Sequence, residues 1–275
     1  MIKIMLTVRN RLAITRKCVQ AIKKHSVLPH EIYVYDNLTN YRVEEHFNYF
    51  YKLYKKKLIT QVTFNTKEST FNAFSKAAAC NQFGRLHEED PNKSDVDFLV
   101  FLDNDIILSP SWDKIFLKAW RDVKEYKMDN VKVVAQHPGG IKQGTKMEKT
   151  FAGRKAVLGR LGGSGLWTVK NDFFTDVGYL KIKSLVGQNK RHDQEYWKKM
   201  SKASGGKPYI LGIKEVLGIH CGSMAGSVCN VLTRNNKQGN KLDLIKFEEA
   251  EKKIDNMSFD EFYTFIKNTI GTKGW

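Results

Sequence analysis

Apolar residues fall along the first half of the chain in short runs and helical stripes that alternate. Ile2 to Thr7 reads as a strand, Val8 to Arg11 as the polar loop after it, and Leu12, Thr15, Cys18, Val19 and Ile22 recur at helical spacing. Glu31 to Tyr35 is a second strand that runs into Asp36-Asn37. Val43 to Lys57 follows as a helix, read with Phe47, Phe50 and Tyr54 inward and Lys55 to Lys57 near its end, where cations suit the helix dipole. Leu58 to Phe64 is a third strand, and Ser69 to Leu86 is again helical in period, with Asn81 on it. A polar loop from His87 to Asp95 leads to Phe98-Leu99-Val100-Phe101-Leu102, an apolar run long enough only for a buried strand, which stops at Asp103-Asn104-Asp105. Beyond Ser109-Pro110-Ser111, a helix start with proline in its first turn, Trp112, Ile115, Phe116, Ala119 and Trp120 form one face. Val131 to Ala135 is a further strand.

Strands alternating with helices predict an α/β fold with a mostly parallel sheet covered by helices. The character changes after about residue 137. His137 to Leu161 is glycine-rich and basic, with six Lys or Arg against Glu148 alone, and reads as a loop or a surface for an anionic acceptor. Gly162-Gly163-Ser164-Gly165 precedes Leu166 to Val169 and a short helix, and matches neither a P-loop nor a dinucleotide fingerprint. Arg191 to Trp197 opens another helix, with Asp193 and Glu195 in its first turns. There, acids suit the helix dipole, and a carboxylate can equally serve as a general base. Two edge or rim strands, Pro208 to Leu211 and Glu215 to Ile219, follow, the second ending at His220. The last forty residues read as helices packed on the body, and no internal repeat or low-complexity segment is visible.

Composition narrows the class. With 275 residues, 41% apolar and 12% aromatic, the chain is globular and can bury a large core. No apolar run approaches the roughly 20 residues that cross a bilayer, and Arg9 and Arg11 interrupt the start too early for a signal peptide. The expectation is a soluble, cytoplasmic protein. Cys18, Cys80, Cys221 and Cys229 show no zinc spacing and read as buried thiols. Forty-six Lys and Arg against 29 Asp and Glu give a net charge of +17, which favours a polyanionic partner, nucleic acid or an anionic surface, although some chains are merely basic.

The chemistry sits at strand ends, where open α/β sheets bind ligands. Taken locally, Asp103-Asn104-Asp105 is either a pair of oxygen ligands for Mg²⁺ or Mn²⁺ or an ordinary turn. Asp36 can accept a hydrogen bond from a base N–H or cap the next turn.

Together these pieces resemble the inverting, nucleotide-sugar-dependent glycosyltransferases of the GT-A fold, the large family typified by bacterial polysaccharide synthases. The resemblance covers residues 2 to about 223 and rests on Thr7-Val8-Arg9-Asn10, Asp36-Asn37, Ala79-Cys80-Asn81, Phe101 to Asp105, Gly163 to Leu166, His192-Asp193 and His220. It implies a GT-A, Rossmann-like domain over 1–223, with a nucleotide-binding half (1–135) and an acceptor-side half (136–223), and a helical extension over 224–275. It further implies that Thr7, Arg9, Asp36 and Asn81 hold the nucleoside, Asp103 meets the ribose or the metal, and Asp105 and His220 bind Mn²⁺ or Mg²⁺. Gly163 would lie against the donor sugar or acceptor, and Asp193 would be the base.

The donor implied is a nucleoside-diphosphate sugar, with UDP-sugar foremost. The chain departs from the family where His192-Asp193 replaces the usual Glu-Asp, which keeps Glu195 in view as the base, and where Val8 and Arg9 replace an aromatic residue. The basic stretches Lys142 to Arg160 and Lys181 to Lys207 point to an anionic acceptor such as a hydroxylated base in DNA. The more usual acceptors are a glycan, a lipid-linked sugar or a protein side chain. A nucleotidyltransferase and a non-catalytic nucleic-acid-binding protein are the readings from other classes. The first lacks a glycine-rich basic loop after the first strand, and the second leaves the acidic residues unexplained.

Overall fold

The computed structural model describes residues 1–37, 39–65, 72–136, 147–151, 154–159, 165–180, 192–221 and 241–269, with backbone alone for 72–77, 147–151, 154–159, 192–195 and 241–246. Strands β1 (Ile2–Val8), β2 (His30–Asn37), β3 (Gln61–Asn65) and β4 (Phe98–Asp103) alternate with helices α1 (Leu12–His25), α2 (Val43–Lys55) and α3 (Asn72–Glu88). Then come β5 (Ile106–Leu108), α4 (Trp112–Glu125), β6 (Val133–Gln136), β7 (Met147–Phe151), β8 (Arg154–Gly159) and β9 (Leu166–Lys170). The chain continues through α5 (Phe173–Asp176), α6 (His192–Ala203), β10 (Ile210–Ile213), β11 (Gly218–His220), α7 (Lys241–Asn256) and α8 (Phe259–Thr269).

Nine strands form one sheet in the order β3-β2-β1-β4-β9-β6-β10-β8-β7, while β11 and β5 pair apart from it. Strands β3, β2, β1 and β4 are parallel, β9 lies antiparallel between β4 and β6, and β6 and β10 are parallel. Sheet and helices thus agree with the expected mostly parallel α/β fold. Because β9 and β10 enter the same sheet as β1 to β4, the two halves expected to divide near residue 135 share one continuous layer.

Strand alternation decides what faces what. Ile2, Ile4, Leu6 and Val8 of β1 and Phe98, Val100 and Leu102 of β4 lie in a buried cluster with Ile14 and Ile22 of α1 and Phe116 of α4. Met5, Leu99 and Phe101 point the other way, into a cluster with Phe83 of α3 and Tyr196, Trp197 and Met200 of α6. The Trp167 ring stacks on Phe101 at 4.0 Å and meets Tyr196 at 6.0 Å, so α6 is seated on an aromatic layer. Thr7 and Asp103 continue this second face to the carboxyl ends of β1 and β4.

Four expectations change. The basic stretch 137–161 contains strands β7 and β8, which pair as a hairpin on the sheet; its Lys and Gly content hid them, since pairing to β10 rather than an apolar run holds them there. Strand β10 is interior, between β6 and β8, not at an edge. The third strand begins at Gln61, because Leu58 to Thr60 form the turn into it. On α2, Phe50 is buried as expected, but His46 is buried with it while Phe47 and Tyr54 are 47% and 48% exposed, so the inward face is centred away from those two. Cys18, Cys80 and Cys221 are buried thiols, as expected, and Cys229 lies outside the described residues. No helix among the described residues is long and apolar enough to cross a membrane.

The C-terminal helices are built into the core: Ile254, Phe262 and Ile266 are buried in the same cluster as β1 and α1. They also complete α1, which starts without a local cap. Arg11, at its N-cap position, is left-handed (φ 56°, ψ 52°) and makes no side-chain capping bond. Glu251 of α7 supplies the acceptor instead, taking the Ala13 N–H at 2.9 Å. Burial pushes the Glu251 carboxyl up to about 7, against the Ala13 N–H and with Asp255 adding to the rise. The folded state therefore keeps this proton to a higher pH than the unfolded chain, whose ordinary value is 4.5. Stability from this group is full below about pH 4.5 and is lost as pH rises to about 7, by roughly 3 kcal/mol. Glu251→Gln keeps the acceptor and removes the titration. Urea unfolding is thus expected to show the variant gaining on the parent between pH 5 and pH 8, and an equal pH slope in both would rule this out.

Candidate active site

The carboxyl ends of β2, β1 and β4 are in register, with Val8 opposite Asp36 and Thr7 opposite Asp103. The Thr7 hydroxyl is 3.2 Å from Asp103 Oδ1 and 3.3 Å from the Leu102 carbonyl. Asp103 N–H donates to the Gly165 carbonyl at 2.7 Å, and a Cβ on Gly165 would stand 3.0 Å from Asp103 Oδ2 and 2.8 Å from Ile106 Cδ1. Glycine at 165 is what lets β9 approach the acidic strand end this closely.

Two asparagines hold the loops around these carboxylates. Asn104, buried between the two aspartates, donates to the Asn10 carbonyl (3.2 Å) and the Thr15 hydroxyl (2.7 Å). Asn10, fully buried with φ 52°, accepts from the N–H groups of Asn40 (3.0 Å) and Tyr41 (3.2 Å) and donates to the Asn40 side chain (3.0 Å). Left-handed backbone is uncommon outside glycine, and Asn adopts it more readily than most residues. The loop after β1 is therefore tied both to the loop after β2 and to the Asp-Asn-Asp turn.

Asp105 is the electrostatic centre. Its Oδ2 accepts from the Arg11 guanidinium and lies 3.3 Å from His220 Nε2, while the Cys221 N–H donates to its carbonyl at 2.7 Å. Strand β11 brings His220 there by pairing with β5, His220 opposite Ile106. Burial alone would push the Asp105 carboxyl up, but His220 and Arg11 together outweigh it and hold the group below the ordinary carboxylate range. Asp105 Oδ1 is buried and has no hydrogen-bond partner among the described residues.

Asp36, 3% exposed at the end of β2, accepts the Thr39 N–H on Oδ1 at 2.8 Å, and its Oδ2 is buried without a hydrogen-bond partner among the described residues. Burial raises its carboxyl, against the pull of Thr39 and Arg9. His46 of α2 stands behind it, Nδ1 4.0 Å from Oδ2, and burial with Arg42 and Arg16 nearby lowers the imidazole to about 4, leaving it neutral near pH 7.

Of the residues singled out in the sequence, Thr7, Asp103, Asp105 and His220 come together at one end of the sheet, with Asp36 two strands from β4. Asn81 is engaged elsewhere: its amide exchanges two 2.9 Å hydrogen bonds with the backbone of Leu180. Asp103, Asp105 and His220 do not close into a three-ligand group; among the described residues no cluster of three or more His, Cys, Asp or Glu is arranged to hold a metal. Asp103 turns Oδ1 to Thr7 instead. Gly163 lies outside the described residues, as do the side chains of Asp193 and Glu195, whose backbone opens α6. Asn10, Arg11 and Asn104 lie in stretches that the sequence singled out, but no role was assigned to them, and His46 was not singled out at all. A left-handed-tolerant Asn in the loop after the first strand is the one signal that pointed to any of them.

The sequence matches no protein-family model and no curated protein. Solved structures are similar in fold. GalNAc-T7, with UDP, GalNAc and Mn²⁺, aligns over 99% of this chain and 57% of its own at 14% identity and a TM-score of 0.50. The mannosyltransferase PcManGT of Pyrobaculum calidifontis, in complex with GDP-Man and Mn²⁺, aligns over 98% of this chain and 69% of its own at 13% identity and 0.51. S. aureus TarS aligns over 89% of this chain and 41% of its own at 12% identity and 0.49. The chain thus spans less than two thirds of the length of two of these three. Strand order, helix placement and the likeness to GalNAc-T7 and PcManGT together give the chain a fold of the GT-A type.

Proposed function

We propose that the chain is a metal-dependent, inverting glycosyltransferase that moves a sugar from a uridine diphosphate sugar to an acceptor hydroxyl. The observation that carries this reading is the meeting of Asp105 and His220 at the carboxyl end of the central strand, with Asp105 Oδ1 buried and without a hydrogen-bond partner among the described residues. Carboxylate and imidazole are ligands that Mn²⁺ accepts, and two protein ligands suit an ion whose other positions go to phosphate oxygens and water. The residues therefore fit Mn²⁺ or Mg²⁺, held by Asp105 and His220. Such an ion, when bound, neutralises the leaving diphosphate. GalNAc-T7 and PcManGT, solved with Mn²⁺ and with UDP or GDP-Man, support the metal and a nucleotide-sugar donor.

The chain's own groups take the remaining tasks. Arg11 is the cation beside Asp105 and meets phosphate oxygens. Asp103, oriented by Thr7, takes the ribose. Asp36 reads the base through its carboxylate, whose Oδ1 also holds the Thr39 N–H. Arg9 supports Asp36 electrostatically. Asp193, at the start of α6, removes the acceptor proton as the hydroxyl attacks the anomeric carbon from the side opposite the diphosphate. The net charge of +17 favours an acceptor on a polyanion, with a hydroxylated base in DNA as the first to try.

Screening UDP-, GDP- and TDP-sugars for Mn²⁺-dependent hydrolysis tests the class and donor together. UDP-sugars are expected to turn over fastest. A preference for GDP-sugars would overturn the assignment of the base, and no metal-dependent release from any donor would overturn the class.

A further inference from the structure

Behind Asp36 lies a pair of polar groups that the fold alone does not explain. His46, near the start of α2, is 1% exposed, and neither of its ring nitrogens has a hydrogen-bond partner among the described residues. Asp36 Oδ2, 4.0 Å from His46 Nδ1, is in the same condition. Buried polar atoms in folded proteins are nearly always paired, and one that is not carries its desolvation cost in full. A leucine at position 46 would fill similar space beside the Phe50 ring without that cost. Packing therefore gives no reason for an imidazole here.

The two groups match each other in chemistry. Burial, with Arg42 and Arg16 nearby, keeps the imidazole neutral near pH 7, and a neutral imidazole carries one N–H donor and one acceptor nitrogen. An ionised carboxylate offers acceptors alone. With the proton on Nδ1, donor faces acceptor, and an approach of about 1 Å completes a hydrogen bond. The Thr39 N–H already holds Asp36 Oδ1 at 2.8 Å. A second bond on Oδ2 fixes the plane of the carboxylate from both sides, and each oxygen keeps a further lone pair for a base N–H.

We propose that His46 is a positioning residue for Asp36: its Nδ1–H holds Oδ2 and so sets the carboxylate at the end of β2 in the orientation that binds the nucleobase. The proposal rests on the assignment of Asp36 to the base. The diphosphate falls to Arg11, Asp105 and His220, so pyrophosphate, which has no base, is the internal control.

The test is calorimetric titration of two probes, UDP and inorganic pyrophosphate, each with Mn²⁺, into the parent and into variants whose fold is checked by thermal melts. His46→Leu is expected to weaken UDP by about 10- to 100-fold, the worth of one hydrogen bond to a charged group, and to leave pyrophosphate unchanged. His46→Asn, whose side-chain amide stands near the place of Nδ1, is expected to restore most of the UDP affinity. His46→Gln, whose amide stands near the place of Nε2, is expected not to; this contrast decides alone if His46→Leu does not fold. In an Asp36→Asn background, His46→Leu is expected to cost nothing more. Unchanged UDP affinity in His46→Leu, equal loss of both probes, rescue by Gln in place of Asn, or additive losses in the double variant would each overturn the proposal and leave the transferase reading standing. A parent that binds neither probe would overturn that reading, and this proposal with it.

Discussion

Asp105→Asn is expected to reduce metal-dependent turnover of the nucleotide sugar by about 10³-fold, the cost of removing one group that stabilises developing charge. The substitution preserves shape and removes the negative charge on which Arg11 and His220 converge. It also removes the carboxylate whose Oδ1 is buried and without a hydrogen-bond partner among the described residues. The loss should appear together with a shift of the Mn²⁺ dependence to higher concentration. Steady-state rates across a Mn²⁺ series check both, and an unchanged Mn²⁺ dependence would remove Asp105 from the metal site.

Asp193→Asn is expected to lower transfer by about 10²- to 10⁴-fold, the range for a general base, while leaving nucleotide affinity as it was. Asp193 is the second residue of α6, and α6 is held by Tyr196, Trp197 and Met200 against the aromatic layer under β4 and β9, so the helix start is fixed from below. Glu195→Gln is the comparison. Transfer rates and UDP affinity measured on both variants decide between them: full activity in Asp193→Asn with loss in Glu195→Gln would move the base to Glu195.

The acidic ends of β2 and β4 were legible because each is an apolar run that stops at a carboxylate, and a buried strand has few other reasons to end that way. Asn10 and Asn104 were not, because what they do depends on partners 29 to 94 positions away along the chain. Asn in a loop is the commonest of turn residues. Helix α2 shows the limit of periodicity. It carries two stripes, one through His46 and Phe50 and one through Val43, Phe47, Tyr51 and Tyr54, and spacing favours the more apolar one as core. The sheet takes the other, since His46 belongs beside Asp36. The β7–β8 hairpin escaped for the opposite reason: its strands are short, basic and partnered by β10, so little in their own residues marks them. That the last helices pack on the body was legible from their apolar spacing, but the capping of α1 by Glu251 across 238 positions was not.

Calorimetric titration of UDP into the parent chain, with Mn²⁺ and then with EDTA in its place, tests the proposed metal and nucleotide site most directly, with Asp105→Asn as the paired variant. Binding that requires Mn²⁺ and disappears in Asp105→Asn is the predicted result. UDP binding of equal strength without the ion, or no Mn²⁺-dependent binding of any nucleoside diphosphate, would contradict it.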